Sequence, residues 1–334
     1  MSRVALCWSV AVLALAAAPS ALADGFAGYA LQSGTGVVSA GGTIRYVAVG
    51  HTGGTTVEAI STADGSVLRS LDVIGSFGTP FIGAPQHGLG LSADGRTLVL
   101  ADVPTTFPHT RSAFSFFSTH PLQYQNGVSL KGDFAFDALS PDGSRLYLIQ
   151  HVDLNDPSQL RYVVRAFDVS TLRVLPGRIA DRTQKSWIMR GLAVTRTTSP
   201  GGRWVYTLYD DPGGYPFVHA LDTVRGVAHC VGLPWTGSEG GVYNMRIALR
   251  DGGRTLAVGF ASGRRWTTID TRTWRVSPDG GGAASRTSEL AVGGAGTLVL
   301  AAAAALLLRR RRARPVDDEP TGPLGETREP KPVG

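Results

Sequence analysis

The chain predicts an all-β exported domain of repeated antiparallel hairpins, held to a membrane by one C-terminal helix. Three observations carry this reading. A phrase with an Asp-Gly or Gly-Gly turn recurs through the middle of the chain. A second phrase, built on Asp followed closely by Thr, comes after it at a distance. Both ends carry an apolar run, and the C-terminal run meets a block of arginines.

At the N-terminus, Arg3 precedes an apolar stretch over 4–18, and Ala21-Leu22-Ala23 supplies small residues at cleavage spacing. This is the pattern of a secretory signal peptide, residues 1–23, cut before Asp24. At the other end, residues 290–308 carry no charge and are followed by Arg309-Arg310-Arg311-Arg312. About nineteen such residues suffice to cross roughly 30 Å of hydrocarbon as a helix. Flanking arginines mark the cytoplasmic side. The expected address is the plasma membrane, single-pass, with the N-terminal ectodomain (24–277) outside. Residues 278–289 form a Gly-rich stalk, and 309–334 a basic and then disordered cytoplasmic tail.

The first phrase is clearest in Gly90-Leu91-Ser92-Ala93-Asp94-Gly95-Arg96-Thr97-Leu98 and Ala138-Leu139-Ser140-Pro141-Asp142-Gly143-Ser144-Arg145-Leu146. Further copies run Leu249-Arg250-Asp251-Gly252-Gly253-Arg254-Thr255, Ser199-Pro200-Gly201-Gly202-Arg203-Trp204 and Ser39-Ala40-Gly41-Gly42-Thr43-Ile44. Each reads as strand, tight turn, strand, with Gly supplying positive φ and Asp or Ser bonding the local backbone. The second phrase appears as Phe167-Asp168-Val169-Ser170-Thr171-Leu172, Ile269-Asp270-Thr271-Arg272-Thr273-Trp274 and Leu221-Asp222-Thr223-Val224-Arg225-Gly226. Two hairpins per unit make a four-stranded sheet, and units recurring roughly every 48 to 59 residues form a radial array or a solenoid.

The paired phrases resemble the β-propeller superfamily, in its secreted bacterial branch of YVTN or WD40-like repeats. There Ser-Pro-Asp-Gly-x-x-Leu-Tyr-Val followed by Val-x-Asp-x-x-Thr-x-x-Val defines a blade, and Ser140 to Tyr147 with Val164 to Val174 fits it. The resemblance implies a β-propeller of about five four-stranded blades, at about 36–86, 87–132, 133–187, 188–240 and 241–277. A sixth is allowed if a loop hides a degenerate blade. Such a motif specifies architecture strongly and activity hardly at all.

The chemistry is sparse. The net charge of +6 owes part of its value to Arg3 and to the tail, and the arginines between are scattered, so nucleic-acid binding is not expected. Cys7 falls in the signal peptide, leaving Cys230 unable to form an intramolecular disulfide and best placed as a buried strand residue. The sequence holds no nucleophile elbow, HExxH or Walker loop. The histidines at 51, 87, 109, 120 and 151 read as scattered turn or solvent residues. No catalytic residue, metal or cofactor is therefore expected.

Propellers bind ligands where inner strands open into the channel, which places His87, Asp133, Arg190 and Arg246 at that mouth as speculative ligand-binding residues. Met189-Arg190 and Met245-Arg246 occupy corresponding places in two successive units. Two converging arginines would make a fork for carboxylate or phosphate; alternatively each pairs with a loop carboxylate or carbonyl. The tryptophans could stack on sugars or fill the space between blades.

The tail also resembles a sortase sorting signal, with Leu290-Ala291-Val292-Gly293-Gly294 at the sorting position, but it lacks the threonine. A retained membrane anchor is expected instead. The function expected is a non-catalytic binding or scaffolding module, its partner an extracellular protein, glycan or anionic ligand. The alternatives are an extracytoplasmic propeller enzyme, a lactonase-like hydrolase or lyase, and a sensor ectodomain.

Overall fold

A computed structural model describes residues 29–278, apart from 84–87, 104–106, 154–160, 185–187, 212–213 and 238. The signal peptide, the stalk beyond 278, the membrane segment, the tail and His87 lie outside the described residues. Among those described, no helix is long and apolar enough to cross a membrane.

Among the described residues twenty-two strands follow one another: β1 (Tyr29–Leu31), β2 (Val37–Val38), β3 (Ile44–His51), β4 (Gly54–Ser61), β5 (Val67–Ile74), β6 (Phe77–Phe81), β7 (Thr97–Asp102) and β8 (Arg111–Thr119). Next come β9 (Leu122–Lys131), β10 (Phe134–Leu139), β11 (Arg145–Asp153), β12 (Arg161–Asp168), β13 (Arg173–Val174), β14 (Met189–Arg190) and β15 (Leu192–Thr198). The last are β16 (Trp204–Asp210), β17 (Phe217–Asp222), β18 (Val227–Gly232), β19 (Met245–Arg250), β20 (Thr255–Phe260), β21 (Arg265–Asp270) and β22 (Val276–Pro278). They form five antiparallel sheets: β2–β5 (sheet I), β6–β9 with β1 added on the inner side (II), β10–β13 with β14 paired to β12 (III), β15–β18 (IV) and β19–β22 (V). This is the blade series of a β-propeller.

The central strands show why the sheets stack. On β7, Leu98 and Leu100 join the core shared with sheet I, while Val99 and Ala101 join that shared with sheet III. On β11, Leu146 and Leu148 face sheet II, and Tyr147 and Ile149 face sheet IV. Period-2 alternation sends successive side chains to opposite faces, so a strand sandwiched between two sheets is apolar throughout. The cores join I to II, II to III, III to IV and IV to V.

The recurring phrases are closed by their own side chains. Ser92 Oγ accepts the N–H of Thr97 at 2.9 Å and donates to Asp94. Ser140 does the same with Arg145 and Asp142, and Ser199 accepts from Trp204. The second phrase turns on its aspartate: Asp168 accepts from Ser170 and Thr171, bonds that hold its carboxyl down to about 2.

Gly95 and Gly143 hold the same turn position with φ 72° and 70°. A methyl at Gly95 would meet nothing within 4 Å, whereas at Gly143 it would lie 2.4 Å from Thr97 Oγ1 of sheet II. Gly95→Ala is thus expected to cost only the left-handed backbone, roughly 1–2 kcal/mol. Gly143→Ala is expected to add an overpacking cost of about 1–3 kcal/mol. Urea unfolding of the full-length chain would compare them; equal losses would refute the inter-sheet contact.

One departure concerns the inner strand of sheet II. The sequence pattern assigns residues up to 86 to the first unit, but β6 belongs to the second sheet. That inner strand is split: Phe77 and Gly78 pair with Asp102 and Ala101, and Leu91 bridges Leu98. Between them, Thr79, Pro80 and Phe81 pair with β1 and not with β7. Ile82 packs into the core of sheets III and IV, Gly83 lies against the Val194 backbone, and Gly88 against Gly36.

Candidate functional site

Asp133, at the opening of β10, sits at a polar centre. Gly132, with φ 112°, turns the chain out of β9 and delivers Asp133 to the boundary of sheets II and III. Its side chain is 2% exposed and accepts from His151 Nδ1 at 2.6 Å and from the His109 backbone N–H at 2.7 Å. His109 Nδ1 stands 3.7 Å from the same carboxylate. The Phe107 ring meets both imidazoles edge-on, at 6.3 and 5.7 Å. Burial opposes ionisation of Asp133, yet the His151 and His109 hydrogen bonds and the two rings' charge outweigh it and hold the carboxyl below its usual range. Nearby Asp102 is driven the other way, chiefly by burial, with the charge of Asp133 adding to the shift. Nε2 of His109 is buried and has no hydrogen-bond partner among the described residues.

The other residues named from sequence have different surroundings. Arg190 does not open sheet IV: β14 pairs with β12 in sheet III, and Gly191, with φ 105°, turns the chain before β15. Its Nε forms an ion pair with Asp211 at 2.7 Å. Arg246 donates from Nη1 to the carbonyls of Met245 and Tyr243, at 2.7 and 3.3 Å. Among the described residues no hydrogen bond or ion pair joins Asp133, Arg190 and Arg246 to one another. The aromatics form clusters partly buried against the cores, Trp204 with Trp274 at 5.3 Å and Trp235 with Trp266 at 5.2 Å.

Two histidines were misplaced by the sequence pattern. His151 is a strand residue, 6% exposed, and His109 is half-buried against Asp133. Their pairing depends on how sheets II and III meet, which local sequence does not encode.

A second polar centre crosses sheet IV. Cross-strand register aligns Arg196, Thr207, His219 and Cys230 in one row over β15 to β18. Their spacing of eleven, twelve and eleven residues is a sequence signal for such a row. Arg196 donates to Thr207 Oγ1 at 2.8 Å and ion-pairs with Asp137 of sheet III, whose carbonyl it also reaches. Asp137 is the extra residue of a β-bulge between Phe136 and Ala138, and bulges re-aim side chains in this way. At the far end, His219 Nδ1 lies 3.6 Å from Cys230 Sγ, and the Cys230 N–H donates to Asp181 at 2.8 Å. Burial lowers His219 to about 4. Burial, with the Asp181 charge, raises the Cys230 thiol to about 12, so it is an inert thiol at neutral pH.

Among the described residues, no group of three or more His, Cys, Asp or Glu side chains is placed to hold a metal ion. A groove of about 600 Å³ lies between β5 of sheet I and sheet II, lined by Val73, Phe114, Tyr124 and Val128 together with Phe77 of β6, with Ile74 93% exposed at its edge.

No protein-family model matches the sequence, and no curated protein matches it. Solved structures similar in fold include Kuenenia stuttgartiensis hydrazine synthase, 14% identical, with 70% of each chain covered and a TM-score of 0.43. The Cps50 (Swd1) β-propeller domain of Myceliophteria thermophila is 10% identical over 78% of this chain and 72% of that one, TM-score 0.41. TolB from Acinetobacter baumannii is 13% identical over 75% of this chain and 56% of its own, TM-score 0.37.

Proposed function

We propose that this β-propeller is a non-catalytic binding or scaffolding module, displayed outside the plasma membrane by the 290–308 segment. The observation that carries the reading is the His109 imidazole. Its buried Nε2 is unpartnered among the described residues, beside a carboxylate already immobilised by His151 and the backbone. A ligand would reach this nitrogen only by displacing what covers it; a hydrogen-bonding group already held in place then lowers the cost of binding. The partner is an envelope glycan or an extracellular protein. An anionic ligand would additionally draw Arg190 from Asp211 and Arg246 from its carbonyls, because charge-assisted bonds to arginine are strong.

The test uses the full-length chain in lipid nanodiscs, titrated with isolated cell-wall fragments and with soluble anionic glycans. His109→Ala is expected to weaken binding at least fivefold. Binding unchanged in His109→Ala would overturn the assignment of this centre. Unchanged binding in Arg190→Ala/Arg246→Ala would remove the anionic ligand from it. Protease accessibility of the ectodomain on intact cells tests the orientation.

A specific observation favours a second reading, a hydrolase or lyase. Asp102 and Asp133 have acidities pushed in opposite directions within one cluster, and Asp133 orients an imidazole, the arrangement of an acid–base pair. Turnover of a lactone or glycan substrate lost in His151→Gln would support it.

A further inference from the structure

A tyrosine fastens three of the boundaries between sheets. Tyr46, Tyr147 and Tyr206 each stand third in the second strand of their sheet, β3, β11 and β16. Each hydroxyl reaches a threonine at the last turn of the following sheet. Tyr147 donates to the Thr223 carbonyl at 2.6 Å, and Tyr46 and Tyr206 hydrogen-bond the side chains of Thr119 and Thr271. The threonines are themselves fixed. Oγ1 of each donates to the carbonyl of a glycine in its own sheet's first turn, Gly95, Gly202 or Gly253. In sheet II Val99 takes the tyrosine's place and joins the core shared with sheet III.

Sheet V stands differently toward sheet I. Ala257 is third in β20, so the hydroxyl is missing. The receiving end is built, since Thr62 of sheet I donates to the Gly42 carbonyl as the other threonines do. None of the four cores joins sheets V and I; Val47, Ile60 and Ala257 are buried on those faces but belong to none of them. The inner edge is less sealed: Val38 of β2 is 48% exposed and Ala248 of β19 is exposed, whereas β10 of sheet III is buried throughout. Among the described residues no strand ties the chain's ends, because β1 is added to sheet II and sheet V is built from β19–β22 alone. What the two faces carry is opposite charge. Alternating with its core residues, sheet V presents Arg246, Arg250 and Arg265 against one carboxylate, Asp270, and sheet I presents Glu58 and Asp72 against Arg45.

We propose that the boundary between sheets V and I is where this propeller opens, sheet V parting from sheet I while the four cored boundaries stay shut. The opposite charges of the two faces draw it closed, and salt screens such an attraction. The test is thiol labelling of the full-length chain in lipid nanodiscs, with the wild-type chain supplying the background of Cys230. Val47→Cys places a thiol on the buried part of the sheet I face, and Ala220→Cys places one in the core between sheets IV and V. Val47→Cys is expected to react at least about tenfold faster, because local opening needs less free energy than global unfolding. Raising salt from about 0.05 to about 0.5 M is expected to speed Val47→Cys alone, about threefold or more. Adding Ala257→Tyr is expected to slow its labelling about fivefold relative to Ala257→Phe, the value of one net hydrogen bond, here to Thr62. Val47→Cys reacting no faster than Ala220→Cys, or unmoved by salt, would overturn the proposal even if the Ala257 variants failed to fold. Equal rates with Ala257→Tyr and Ala257→Phe would overturn it as well.

Discussion

Arg196→Ala is expected to destabilise the protein by about 3–5 kcal/mol, the loss typical of removing one partner from a buried ion pair. The Arg196 side chain is 7% exposed and that of Asp137 1%. The substitution would strand a carboxylate between two sheets, leave its carbonyl without the guanidinium, and free Thr207 Oγ1. A control separates the pair's net worth from the cost of breaking it. Arg196→Met combined with Asp137→Ala removes both charges and is expected to lose far less than the single change. Urea midpoints measure both; a single-variant loss below about 1 kcal/mol would mean that water reaches the carboxylate.

Stability is expected to fall as pH drops from about 6.5 toward 4, by a total on the order of 3 kcal/mol. The cause is His219, whose folded value near 4 lies well below its unfolded one. Over that interval the unfolded chain takes up a proton and the folded chain does not, so acid favours unfolding. Above 6.5 the contribution is complete, and below 4 no more is lost. The groups facing His219 are Asp137, Arg196, Asp181, Tyr209 and Cys230, and the thiol titrates far to the alkaline side. Asp133, Asp142 and Asp222 have lowered values, so their losses start near the ordinary carboxylate range, at the bottom of this interval, and continue below it. Asp102, whose value is raised, acts in the opposite sense as pH falls toward its own range. His219→Leu is expected to flatten the pH 4–6.5 interval in thermal unfolding, and an unchanged slope there would assign it to another group.

The two recurring phrases made five sheets legible because each turn is chemically self-contained. Ser140 and Asp142 close one hairpin without help from elsewhere, and Asp168 closes the next. Where a position depends on another part of the chain, local pattern fails. Phe77-Gly78-Thr79-Pro80-Phe81 carries no alternation that marks it as half of an inner strand. Met189-Arg190 looks like Met245-Arg246, yet one pairs back to β12 and the other begins a sheet. Of the candidate site, Asp133 was visible from its place before an inner strand. His109 and His151 were not, because they meet it only through sheet packing.

The split inner strand of sheet II has a consequence for how the chain reaches its native state. Repeat arrays usually couple only nearest neighbours, so that partial folding from either end is tolerated. Here Gly83 rests on the backbone of Val194, and Ile82 seats in a core that exists only once sheets III and IV have met. Sheet II therefore cannot finish before sheet IV is in place, and sheet IV lacks part of its lining until sheet II supplies it. Contacts so remote in sequence raise contact order, which slows folding. Sheets II, III and IV are therefore expected to unfold together, and a chain truncated after its third sheet is expected to lose the urea transition of sheet II as well.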